Sequence, residues 1–87
     1  MPFSLLLEAG FLQSGQILYG SGDRTAVILA SGQIRSEKIV GSIHHVAQTL
    51  ENTPCNGWDY WHFLDGNNHL QPIDMLRKEV FENHLEE

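Results

Sequence analysis

Apolar and polar positions alternate with two different periods along this chain, and the switch between them divides it into elements. Ile43, Val46, Ala47 and Leu50 recur at i, i+3, i+4 and i+7, the spacing of one buried helical stripe. Ser42 precedes the stripe as an N-cap, and Asn52-Thr53-Pro54 stops it, because a residue before proline is pushed out of helical geometry. Ahead of this helix the pattern is strand-like. Ile17-Leu18-Tyr19, Thr25 to Leu29 and Gln33-Ile34-Arg35 are short β-rich runs separated by Gly20-Ser21-Gly22-Asp23 and by a two-residue Ser31-Gly32 turn, which predicts an antiparallel meander. Ala26 and Ile28 should share one face, with Val27 and Leu29 on the other.

The flanks follow the same logic. Ser4 predicts the cap of a short helix over residues 5–9, and Gly10 its left-handed end. Ser36-Glu37-Lys38 is a polar corner, after which Ile39-Val40 returns to the core. Asn56-Gly57 predicts a positive-φ turn, and Trp58 to Leu64 a fourth strand with Trp61 and Phe63 inward and Trp58 on the opposite face. Pro72 suits the first turn of a last helix with Ile73, Leu76 and Val80 as its stripe and Asp74 at its positive end; the acidic tail from Phe81 should fray. The expected fold is therefore α+β: a small single domain over 1–87, with an antiparallel β-meander plus a fourth strand, two main helices packed on one face and a short N-terminal helix.

Composition narrows the function. With 87 residues there is room for one modest core. No run is long and apolar enough for a membrane span, residues 1–10 lack a signal-peptide pattern, and the single cysteine cannot form an internal disulfide, so a cytoplasmic setting is expected. The net charge of −6 argues against gripping phosphates unaided. Part of that excess is local: the last nine residues hold Glu79, Glu82, Glu86 and Glu87 and neither Lys nor Arg.

Several chemistries fail on spacing. The Gly-Ser-Gly at 20–22 lacks the lysine of a phosphate loop. Cys55, His44, His45, His62 and His69 match no zinc module, and adjacent His44 and His45 point about 100° apart on a helix. A Cys55–His44 or Cys55–His62 pair has the residue types of a nucleophile and base, but so small a domain offers little room for a substrate pocket.

Three blocks carry a resemblance. Gly-Ser-Ile-His-His-Val-Ala at 41–47, Asn-Gly-Trp-Asp-Tyr-Trp-His-Phe at 56–63 and Leu-Gln-Pro-Ile-Asp-Met-Leu-Arg at 70–77, with the opening at 6–19, resemble the C-terminal, RAMA-type domain of cell-cycle-regulated N6-adenine DNA methyltransferases that modify GANTC. The resemblance runs from about Phe3 to Val80. The Pro-Pro-Tyr catalytic loop and the glycine-containing cofactor loop of those enzymes have no counterpart, since Pro2, Pro54 and Pro72 are isolated. The resemblance therefore implies a non-catalytic chain with no cofactor of its own. It implies that the catalytic domain of the same parent binds S-adenosylmethionine, and that this domain assists DNA binding and target recognition near the bacterial nucleoid, with a homodimer left open.

The residues add their own chemistry to that implication. An adenine must leave the stack before its amine can be methylated, and Trp58 is a candidate to stack on or wedge into the opened strands. Asn56 can read a base edge, while Ser42, His44 and His45 can hold a phosphate at the helix start. Arg35, Lys38 and Arg77 are candidate backbone contacts, with Lys78 beside Arg77. Each has a plainer reading: Asn56 as turn, Ser42 as cap, Trp58 as core beside Tyr60. The rival function is a protein-interaction or dimerisation module anchored by Trp58 and Tyr60.

Overall fold

The structure is a computed structural model that describes residues 2–86, with side chains described for 2–80. In chain order the elements are α1 (Ser4–Glu8), β1 (Ile17–Tyr19), β2 (Thr25–Ile28), β3 (Ile34–Ser36), β4 (Ile39–Gly41), α2 (Ile43–Glu51), α3 (Gly57–Tyr60), β5 (His62–Leu64), β6 (Leu70–Pro72) and α4 (Asp74–Glu86). The strands form one six-stranded antiparallel sheet in the order β4-β3-β2-β1-β5-β6. The α+β class and the meander match the pattern in the sequence. The sheet is wider than expected, because Ile39–Gly41 and Leu70–Pro72 also pair.

Register explains the core. Leu18 lies opposite Ala26, and Ile28 opposite Ile34, so these buried residues share the face that meets the helices. Ile43, Val46 and Ala47 of α2, both tryptophans, and Ile73 and Leu76 complete one cluster with Phe3, Leu6 and Leu12. Leu50, Phe63 and Val80 pack against it half-buried. The opposite face carries the row Ile17, Val27, Arg35, Val40 and, farther along, His62, Leu64 and Leu70.

Several local expectations are corrected. Ser4 is inside α1, not its cap; Phe3 holds the cap position and contributes no side-chain hydrogen bond. The far end follows the sequence: Gly10 has φ +83°, with Phe11 N–H donating to Leu6 O and Gly10 N–H to Leu7 O, a Schellman closure. The β2–β3 loop has three residues, not two: Gly32 N–H donates to Leu29 O at 3.1 Å and Gly32 sits at φ +87°, the turn-plus-bulge form of a hairpin. Pro72 ends an edge strand opposite His62, where a missing donor is tolerated, and does not begin the last helix. Fraying is expected from Phe81, but the backbone of α4 continues as helix to Glu86.

The largest correction concerns residues 56–61. Asn56 is not in a positive-φ turn: it has φ −88° and ψ 112°, and its side chain caps a one-turn helix over Gly57–Tyr60. Only His62–Leu64 is strand. Gly57 is required for a different reason than expected. A Cβ there would lie 2.6 Å from the Ile43 carbonyl carbon and 2.8 Å from the His44 nitrogen, so only glycine lets α3 start against the start of α2.

Candidate nucleic-acid interface

The site is built where those two short distances bring α2 and α3 together. Ser42 is extended at φ −68° and ψ 164°, and its Oγ accepts the His45 N–H at 3.0 Å. This is the cap read from the sequence, and the hydroxyl proton remains available to donate. One residue into the helix, His44 Nδ1 accepts the Gly57 N–H at 2.9 Å. An accepting Nδ1 places the neutral ring's proton on Nε2, on the far side of the ring from α3. Asn56 Oδ1 accepts the Trp58 N–H at 3.0 Å, and the residue is exposed, which turns its amide NH2 to solvent-accessible space. Beneath them Trp61 is fully buried and its Nε1 donates to Ile43 O at 2.9 Å, locking the start of α2 onto the core.

Trp58 is not a presented side chain on an open strand face. Its exposure is 5%, because α3 turns the ring inward, where it meets Phe3 at 6.2 Å between centroids. Arg77 lies over the same ring, 4.7 Å from its centroid, and pairs with Asp74 one helical turn earlier. The guanidinium is therefore partly committed within the fold.

The edge of Trp58, with Ser42 and His44, forms one wall of a cleft of about 340 Å³ that opens to solvent. Ser31 and Gln33 of the β2–β3 loop line it as a second wall, together with Phe3. Nothing in the sequence beyond the turn signal of Ser31-Gly32 singles out this second wall. Other candidates lie apart from the cleft. His45 is exposed on the flank of α2, with its ring against Gly41. Arg35 points from the opposite sheet face to Ile34, and Lys38 sits in the β3–β4 hairpin.

The remaining histidine and cysteine candidates have local partners. His62 Nδ1 lies 3.1 Å from Tyr60 O, and Cys55 Sγ bonds Thr53 O at 3.4 Å. Among the described residues no three His, Cys, Asp or Glu side chains gather as a metal site. No helix is long and apolar enough to cross a membrane among them. A strap absent from the sequence reading closes the other end of α2: Arg24 donates to Leu50 O at 3.1 Å, and the Tyr60 hydroxyl donates to Glu51 at 2.6 Å. Burial first, and the Glu51 hydrogen bond next, raise the Tyr60 pKa above its ordinary 10.0.

Comparison with known families places this architecture. The family model described as Restriction Enzyme Adenine Methylase Associated, RAMA, matches residues 1–86. The chain belongs to the RAMA family. It is also 33% identical, over 81 residues, to the type II methyltransferase M.HinfI of Haemophilus influenzae. That match takes in 91% of this RAMA chain and 22% of the relative, so the chain spans about a fifth of that protein's length. The cleft of this RAMA domain thus lies in a chain homologous to part of a methyltransferase.

Proposed function

We propose that the chain is the non-catalytic DNA-binding domain of a site-specific adenine-N6 DNA methyltransferase, assisting recognition of its target. The observation that carries this reading is that Ser42, His44 and Trp58 line one open cleft, in a RAMA domain related to a methyltransferase. Hydroxyl and imidazole N–H groups donate to phosphate and to base acceptors, and an indole edge packs against a base or sugar. Asn56 adds an amide at the rim. GANTC as the site, cell-cycle control, a nucleoid location and S-adenosylmethionine in a catalytic domain of the parent complete the reading that the sequence resemblance suggests.

At net charge −6 this domain contributes contacts more than electrostatic grip, so the catalytic domain supplies much of the affinity. The test is an anisotropy titration of labelled single- and double-stranded GANTC oligonucleotides at low and moderate salt. Asn56→Ser keeps a capping oxygen but loses the carboxamide, and His44→Ala removes the Nε2 donor. Weak, salt-sensitive binding that both changes reduce is expected. Equal binding by wild type and both folded variants would overturn the site.

One observation favours a second reading, a protein-interaction or dimerisation module. Ile17, Val40, Leu64 and Leu70 are 39–52% exposed and share the sheet face away from the helices. The anchors expected from sequence do not serve it: Trp58 is buried and the Tyr60 hydroxyl is engaged by Glu51. A concentration-dependent dimer without DNA binding would favour this reading over the first.

A further inference from the structure

The second wall of the cleft is built as firmly as the first. Gly32 is held at φ +87°, and a Cβ on it would come 2.9 Å from the Ser4 Cβ, so the β2–β3 loop sits directly on α1. Leu29 N–H donates to Gln33 O at 2.8 Å, and Gln33 N–H donates to Ser31 Oγ at 3.3 Å. Both backbone polar groups of Gln33 are thus committed, which fixes where its side chain starts. That side chain is exposed, lines the cleft, and makes no hydrogen bond among the described residues. The neighbouring wall groups are mostly occupied: Ser31 Oγ by Gln33, Ser42 Oγ by His45, His44 Nδ1 by Gly57.

A glutamine carboxamide offers one donor edge and one acceptor edge in a plane. Adenine presents the complementary pair on its major-groove edge, the N6 amine and the N7 acceptor, and no other base offers a donor beside an acceptor on that edge. Resting on the DNA-binding reading above, we propose that Gln33 reads the N6/N7 edge of an adenine held in the cleft between the β2–β3 loop and the start of α2. His44 and Ser42 then hold the backbone or sugar of the same nucleotide from the facing wall. A fixed backbone with one free, planar, bifunctional side chain suits base reading better than phosphate binding, for which a cation or a cluster of N–H donors is the usual provision.

The test uses the 87-residue chain with GANTC oligonucleotides in which one adenine at a time is replaced by 7-deazaadenine, which removes the N7 acceptor and leaves the rest of the base. For wild type, one substitution should weaken binding roughly tenfold, the size expected for a lost base contact. Gln33→Leu, with circular dichroism showing the fold intact, should bind the unmodified oligonucleotide at least as weakly as wild type binds the modified one, and should no longer respond to the replacement. Gln33→Glu keeps the acceptor for N6 but loses the donor to N7, and should likewise no longer respond to the replacement. If wild type and Gln33→Leu respond equally to every replacement while His44→Ala loses binding, the role of Gln33 is overturned and the DNA-binding reading stands. If wild type binds no oligonucleotide, both fall.

Discussion

The Gly57 backbone N–H donates to His44 Nδ1 at 2.9 Å, joining the first turns of α2 and α3 through a side chain that also lines the cleft. The bond orients the imidazole and satisfies a backbone donor that the packing of α3 hides from solvent. His44→Ala should therefore destabilise the fold by about 1–2 kcal/mol, the cost of stranding a part-buried donor. His44→Asn, whose Oδ1 can take the place of Nδ1, should recover most of that stability but not the DNA contact proposed for Nε2–H. Urea unfolding midpoints beside binding titrations separate the two effects.

Gly57→Ala tests the contact itself. The new methyl would stand 2.6 Å from a backbone carbon of α2, with no flexible side chain to give way. Overpacking of this kind costs about 1–3 kcal/mol, so the variant should unfold at clearly lower urea. A midpoint equal to wild type would mean that α3 is not seated on α2 as described.

The alkaline limb of stability should depend on Tyr60. Its folded pKa is raised by burial and by the bond to Glu51, so the unfolded chain loses the phenolic proton first. Stability from this group is present in full below pH 10.0 and is lost as pH rises from there through the folded value. Tyr60→Phe should be less stable at neutral pH and should flatten the loss above pH 10. Thermal melts across that range, with phenolate absorbance as a second readout, check it.

At the acid end the β5–β6 turn should respond. Asp65 accepts the backbone N–H of His69 at 2.9 Å and of Asn67 at 2.8 Å, and its other oxygen accepts from Gln71 at 3.1 Å. The His69 bond leads in lowering its pKa below 3.8. That contribution is present above 3.8 and disappears as pH falls through the lower folded value. Asp65→Ala should lose stability at neutral pH and lose part of the acid-side slope, which melts at several pH values would show.

What the sequence disclosed follows the length over which each signal is repeated. The stripe of α2 spans two turns, and its helix, its Ser42 cap and its buried residues were all legible. The meander was legible because turn residues punctuate it. Residues 56–61 were not. One turn of helix is too short to show a period, and Trp58 to Leu64 alternates in composition without being a strand throughout. β4 and β6 are three residues each and are defined by their partners. The site followed the same rule. Ser42 and His44 could be placed by their position at a helix start, whereas the burial of Trp58 depends on Phe3 and Arg77, and the Ser31–Gln33 wall on Ser4, all remote in sequence.

The sheet bears its helices on one side only, and along β3 and β4 neighbouring residues therefore answer to different demands. Ile34, Ser36 and Gly41 are held by volume and will accept few replacements. Arg35 and Val40, between and opposite them, are free of that constraint and can change charge or size without disturbing the cleft. A library over residues 34–41, sorted on folding alone, should thus return tolerance that alternates along each strand and changes phase across the Glu37-Lys38 turn, a record of which side of the sheet evolution has been at liberty to revise.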